Sequence, residues 1–210
     1  VSDSYLSSVG EALSKALPSG ESIKLRGVKK QKPGNTKSDI TLTEKQQEIY
    51  SRISESNSGA HLIFGITGSG KTEIYIKAAL DMISRGKSVI YLVPEITLSS
   101  QIFERLQKVF GDDLVLYHSG LSQNRRFLNW MKFLKGEAKI AVGTRSSVFL
   151  QCPELGLVII DEEQDASYKE QSSPRYNAKR IAFYRSMKEK ALLLLGSATP
   201  SIETMYAAER

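Results

Sequence analysis

The stretch HLIFGITGSGKTEIYIKAALDMISRG, His61 to Gly86, decides the fold. It opens with an apolar run, HLIF, fit for a buried strand. The next eight residues, GITGSGKT, satisfy G-x-x-x-x-G-K-[ST], and the segment after them reads as a helix. Strand, glycine-rich loop and helix in this order make a phosphate cradle. Gly65, Gly68 and Gly70 let the backbone curl so that its N–H groups converge on anionic oxygens, with Thr67 and Ser69 between them. The helix N-terminus adds partial positive charge. Lys71 is the expected partner of the β- and γ-phosphates of a nucleoside triphosphate, and Thr72 the expected hydroxyl ligand of Mg²⁺.

Outward from this unit the pattern repeats. Apolar runs recur at SVIYLVP, LVLYHS, KIAVGT, LGLVIID and ALLLLGS, and most are separated by helix-like segments such as LSSQIFERLQKVFG. Upstream, TLTEKQQEIYSRI opens a helix with Thr41 or Thr43 as N-cap. Runs apolar throughout, alternating with helices, describe a parallel sheet covered on both faces. The expected architecture is a doubly wound, mostly parallel α/β fold, whose ligands sit at the C-terminal ends of the strands.

One of those ends is acidic. After LGLVII come Asp161, Glu162 and Glu163, with Asp165 close behind. Adjacent carboxylates repel one another and are costly to desolvate without a cation nearby. A phosphate-loop threonine supplies one Mg²⁺ ligand, and an acid from a neighbouring strand completes the site. Asp161 is placed to hold the ion through water, and Glu162 to polarise the attacking water as general base. The bland alternative is a hydrated acidic strand end. LGSATPS, Leu195 to Ser201, ends another strand in small hydroxyl residues, with Ser197 and Thr199 able to bond toward the acids.

The 210 residues suffice for one sizeable α/β domain with appendages, or for two small domains. No apolar run approaches the roughly 20 residues of a bilayer span, so no membrane partner is expected. The N-terminal stretch lacks the pattern of a signal peptide. A single cysteine, Cys152, excludes an internal disulfide framework, and a cytoplasmic setting follows as the default. Net charge is +6, compatible with a polyanionic partner without establishing one. KLRGVKKQK, Lys24 to Lys32, is read as a solvated linker or a phosphate-contacting segment. Leu6, Val9, Leu13 and Leu17 have helical spacing up to Pro18.

A phosphate loop, then D-E-x-x, then S-A-T, each closing a strand, resembles the first, RecA-like motor domain of superfamily 2 helicases. GITGSGKTEIY, LVPEITLSSQ, YHSGLS, GTRSSVF, IIDEEQDASYK and LGSATPSIET resemble, in order, segments of the branch that restarts replication at stalled forks. The likeness runs from Leu42 to Thr204 and includes residues 1–18, which resemble the end of an N-terminal DNA-binding region. It implies three parts: that end at 1–18, a basic linker at 19–39 and the ATP-binding domain at 40–210.

The resemblance implies an ATP-dependent DNA helicase using ATP and Mg²⁺, with single-stranded or forked DNA and other primosome proteins as partners. Gln46 would read adenine. Pro94, Glu95 and Thr97, with Thr144 and Arg145, would line the path of one DNA strand, gripping phosphates rather than bases. Asp165 to Tyr176 resembles an aromatic-rich loop that couples DNA contact to hydrolysis, with Tyr168, Arg175 and Tyr176 at the DNA. Lys71, Glu162, Gln164, Ser197 and Thr199 would form the catalytic set. Gln164 stands where the family usually has histidine, and can hydrogen-bond without becoming cationic. The winged-helix segment, second motor domain, arginine finger and zinc-binding cysteines find no counterpart, so no zinc is expected. The chain is expected to be a monomeric piece of a larger protein, with low activity alone.

Two other classes stay open at this point: a small-molecule kinase, which would require neither D-E-E-Q nor S-A-T, and a nucleotide-gated binding module without turnover. His118 with Ser119 lacks an acid partner for catalysis, His61 reads as structural, and Trp130 and Phe133 read as core.

Overall fold

The computed structural model describes residues 40–56, 58–95 and 100–208. The expectations placed on residues 1–39 and on Thr97 lie outside these. Helix α1 (Glu44–Ser54) begins where Thr43 and Gln46 close a capping box, each side chain accepting from the other's backbone N–H. Strand β1 (Gly59–Phe64) leads through the glycine loop into α2 (Lys71–Ser84), and β2 (Ser88–Leu92) follows. Next come α3 (Ser100–Phe110), β3 (Leu114–Tyr117), α4 (Gln123–Leu134), β4 (Ile140–Gly143) and β5 (Leu155–Ile160). A two-stranded hairpin, β6 (Lys169–Glu170) and β7 (Tyr176–Asn177), precedes α5 (Ala178–Glu189), β8 (Leu192–Ser197) and α6 (Ile202–Ala208).

Six strands form one sheet in the order β1-β8-β5-β2-β4-β3, every neighbouring pair parallel. All six apolar runs of the sequence are therefore strands of this sheet. The period of two along each strand divides the core in half. Val89, Tyr91, Ile140, Val142, Leu157, Ile159, Leu192 and Leu194 face α1, α2 and α3 through Ile53, Ile74, Met82, Leu106 and Phe110. The opposite parity, Ile90, Leu92, Ala141, Val158, Ile160 and Leu193, packs on Phe133 of α4 and Ala178 and Ala182 of α5. Each large aliphatic side chain removed from water in these layers contributes about 1.5–3 kcal/mol. Phe133 is core, as its spacing predicts, and Trp130 packs against the same cluster.

Because all six strands run the same way, their C-terminal ends share one edge, and backbone bonds beyond the strands tie the exits together. Gly65 N–H donates to Ser197 O (3.1 Å), Asp161 N–H to Leu92 O (3.0 Å) and Val93 N–H to Gly143 O (2.9 Å). Cys152 lies off this edge, and burial pushes its thiol up to about 11. No helix among the described residues is long and apolar enough to cross a membrane.

Candidate functional site

The loop after β1 takes a shape that its glycines permit. Gly68 and Gly70 stand at φ +80° and +81°, the left-handed region that side chains disfavour. A Cβ on Gly65 would approach Ser69 Oγ to 2.8 Å. Gly70 is the N-cap of α2 and brings no side-chain cap, so the first N–H groups of the helix face the loop interior without a side-chain acceptor. Gln46 braces this turn from outside. Its Nε2 donates to Ser69 O (3.3 Å) and Gly70 O (3.4 Å), while its Oε1 accepts from Thr43 N–H (2.9 Å). Thr67 and Ser69 are exposed at the tip, and Thr72 is half-buried in the first helical turn. Lys71 is 7% exposed, and its Nζ donates to Gly65 O (2.7 Å) and Ile66 O (3.4 Å).

Two strands away in the sheet, the acids divide into separate environments. Lys71 Nζ stands 3.9 Å from Glu162 Oε1, which joins the loop to the acidic strand end. Asp161 is buried and accepts from the hydroxyls of Tyr75 (3.3 Å, Oδ1) and Tyr91 (3.4 Å, Oδ2). Burial and the neighbouring Glu162 push its carboxyl above the usual carboxylate range, against the Glu162 N–H, Lys71 and Tyr75, which pull it down. Glu162 has φ +45°, a costly backbone for a residue with a side chain, held where the chain turns off β5.

Glu163 points elsewhere. It is fully buried and accepts from Lys179 Nζ (2.7 Å), Ser201 N–H (2.7 Å), Ser201 Oγ (3.2 Å) and Thr204 Oγ1 (2.9 Å). Burial raises its pKa, but Lys179, the Ser201 N–H and the Thr204 hydroxyl together outweigh that and leave it below the usual value. The acidic run is thus not one cation site: its third member already has its cation in Lys179.

A hydrogen-bonded chain joins the S-A-T segment to the second acid. Thr199 N–H donates to Ser197 Oγ (2.9 Å), Ser197 Oγ donates to Gln164 Oε1, and Gln164 Nε2 donates to Glu162 Oε2 (2.9 Å). Gln164 therefore bridges the two segments as a neutral donor and acceptor, which an amide does without protonation. Gly196 sits under this chain, and a Cβ there would collide with Tyr75 Oη.

The model of the DEAD/DEAH box helicase family matches residues 43–207. The chain belongs to the DEAD/DEAH box helicases. A helicase domain of this family implies nucleotide binding, with ATP as the nucleotide. The chain is 40% identical over 209 residues to the replication restart protein PriA of Rickettsia felis, covering 100% of this chain and 32% of that protein. Against PriA of Synechocystis sp. it is 45% identical over 150 residues, which are 71% of this chain and 18% of that protein. It thus spans about a third or less of the curated relatives it matches. In fold it is similar to the Pyrococcus furiosus Hef helicase domain, with TM-score 0.58, 22% identity, and 78% of this chain and 34% of that one covered.

On this helicase domain the residues expected to line a DNA strand separate by exposure. Glu95 and Arg175 are exposed and Arg145 is partly exposed. Pro94 and Thr144 are buried beneath the rim. Tyr168 and Tyr176 are each 1% exposed, so neither ring is available to a base in this arrangement. Tyr168 donates to Asp161 O (2.6 Å) and Leu92 O (3.2 Å), and Tyr176 packs edge-on against Phe149 with centroids 4.9 Å apart. An aromatic ring gains more from such enclosure than from solvent, and the Tyr168 hydroxyl finds its acceptors inside. Arg175 Nε donates to Gln171 O (3.0 Å) within the hairpin loop.

Three contributors were missed by sequence reasoning. Tyr75 lies one helical turn beyond Lys71, so its face was readable from spacing alone. Tyr91 lies in a strand and carries no local sign of facing Asp161. Lys179 is separated from Glu163 by a whole hairpin, and only tertiary structure brings them together.

Proposed function

We propose that this domain is the ATP-binding half of an ATP-driven DNA motor acting in replication restart. The observation that carries the proposal is the meeting of Lys71 with Glu162 at one sheet edge, with Tyr75 of the same helix reaching Asp161. The donor set fits the implied group: a buried carboxylate and a threonine hydroxyl are hard oxygen ligands, suited to Mg²⁺. Gly65, Thr67, Gly68, Ser69, Gly70, Lys71 and Thr72 would hold the triphosphate, with Thr72 and Asp161 toward the ion. Bound Mg²⁺·ATP would supply an electrophilic γ-phosphorus with its charge partly neutralised.

This chain's own groups do the rest. Lys71 exchanges loop carbonyls for phosphate oxygens. Glu162 accepts a proton from the attacking water, oriented by the Gln164 amide. Ser197 and Thr199 hold Gln164 in that pose. Gln46 Oε1 keeps a second lone pair beyond the one given to Thr43 N–H, which an exocyclic amino group such as adenine's could use.

Glu95, Arg145 and Arg175 mark the rim where single-stranded DNA phosphates would run. Forked DNA and other primosome proteins are the partners proposed for the longer protein, by likeness to PriA. Residues 1–18, 19–39 and 40–210 are proposed as the end of a DNA-binding region, a basic linker and the ATP-binding domain. ATP turnover measured with and without single-stranded DNA, on a protein spanning the length of these relatives, tests this reading. Stimulation by DNA is expected, and turnover indifferent to DNA speaks against a DNA motor.

A further inference from the structure

The rim arginine is already engaged. Arg145 Nη2 lies 3.0 Å from Glu170 Oε2 and 4.0 Å from Glu95 Oε1, and its Nη1 donates to Ser167 O (3.1 Å). Glu170 sits on β6, with its side chain 11% exposed against 25% for Arg145. Its second oxygen, Oε1, accepts from Ser172 N–H (3.1 Å) and Ser172 Oγ (2.7 Å), which aims Oε2 at the guanidinium. One cation thus faces two carboxylates, one of them bonded and largely desolvated.

The charges decide what a phosphate must do here. A DNA phosphate that bonds the Arg145 guanidinium beside Glu170 comes within roughly 4–6 Å of that carboxylate. Like charges about 4 Å apart repel by about 1 kcal/mol in water and about 4 kcal/mol at the effective dielectric of a protein surface. The two anions therefore do not share the guanidinium in comfort. Asp161 and Leu92 continue to hold the start of the loop through the Tyr168 hydroxyl, so Glu170 can withdraw without unseating the acids.

We propose that Glu170 is an internal stand-in for a DNA phosphate: its carboxylate occupies Arg145 and is displaced when a single strand binds along the rim. This deepens the reading of Arg145 as a phosphate contact and rests on it. The contact lowers the affinity of the rim for polyanions.

Fluorescence anisotropy of a labelled single-stranded oligonucleotide with the 210-residue chain, across a salt series, tests the proposal. Glu170→Gln keeps shape and the Oε1 contacts to Ser172 while removing the competing charge. It is expected to tighten binding by about three- to tenfold, the effect of neutralising a partly buried competitor of a charge-assisted bond. Arg145→Ala is expected to weaken binding and flatten the salt slope by about 0.7, one phosphate contact on a single strand. In the double variant the gain from Glu170→Gln should vanish, because its beneficiary is gone.

An equal gain with and without Arg145 would reduce Glu170 to a long-range charge and overturn the proposal. Weaker binding by Glu170→Gln would make Glu170 a support for Arg145 and overturn it likewise. No change in Glu170→Gln beside a clear loss in Arg145→Ala sinks the stand-in and leaves the phosphate contact standing. No change in Arg145→Ala removes the phosphate contact itself. Should Glu170→Gln fail to fold, Glu170→Asp shortens the reach while keeping the charge, and a smaller gain is expected.

Discussion

Replacing Lys179 by methionine isolates the buried carboxylate that the acidic run hides. Removing one partner of a buried ion pair generally costs about 3–5 kcal/mol, since the other charge stays behind desolvated. Here Ser201 N–H, Ser201 Oγ and Thr204 Oγ1 continue to hold Glu163, and Lys179 itself is a quarter exposed. The loss expected at neutral pH is therefore lower, about 2–3 kcal/mol. Its pH dependence follows from the sign of the shift. Glu163 is held below its unfolded value, so its contribution is complete above the unfolded pKa and fades as pH falls through the folded one. Without Lys179 the uncompensated burial raises that carboxyl, and the variant increasingly folds with it protonated. The deficit of Lys179→Met should thus shrink from neutral pH toward acid, to below about 1 kcal/mol under about pH 4. Urea unfolding of both proteins at several pH values, with equal slopes as the check on two-state behaviour, measures it. A deficit constant with pH, or under about 0.5 kcal/mol at neutrality, would refute the assignment of Lys179 as the cation of Glu163.

Glu162→Gln should leave nucleotide affinity within about threefold and reduce ATP turnover by about 10²- to 10⁴-fold, as loss of a general base does; a comparable fall in affinity would point to a binding role instead. Gly196→Ala puts a Cβ against Tyr75 Oη and 3.5 Å from Asp161 Oδ1, so it should cost about 1–3 kcal/mol in thermal unfolding and weaken Mg²⁺-dependent nucleotide binding together. An unchanged melting temperature would mean that Tyr75 moves aside freely.

The sheet was readable because its inner strands are buried on both faces and read as apolar runs without polar alternation, while β1, at the edge and largely exposed, is marked by the glycine loop that follows it. The glycine loop was readable for a local reason: Gly68 and Gly70 need positive φ, and the lysine and threonine follow at fixed spacing. The acids were located but merged. Three consecutive carboxylates look like one site in sequence, yet the turn at Glu162 sends Glu163 away to Lys179, Ser201 and Thr204. The rim is ambiguous in sequence for another physical reason. A tyrosine serves equally as a stacking platform and as a core ring with an internally bonded hydroxyl, and nothing in the spacing of Tyr168 and Tyr176 tells these apart. Ion pairs across long separations, such as Arg145 with Glu170, leave no periodic trace in the chain.

Residues 65–72 are proposed to cradle a triphosphate, and the Lys71→Ala variant probes that role. Isothermal titration of Mg²⁺·ATP into this chain and into the variant compares them. Lys71 is 7% exposed and its Nζ lies beside the loop carbonyls and Glu162, so a phosphate taking it would form a charge-assisted bond worth roughly 1.5–3 kcal/mol. An affinity about ten- to hundredfold weaker is expected in the variant. Equal affinities for the two proteins would contradict it.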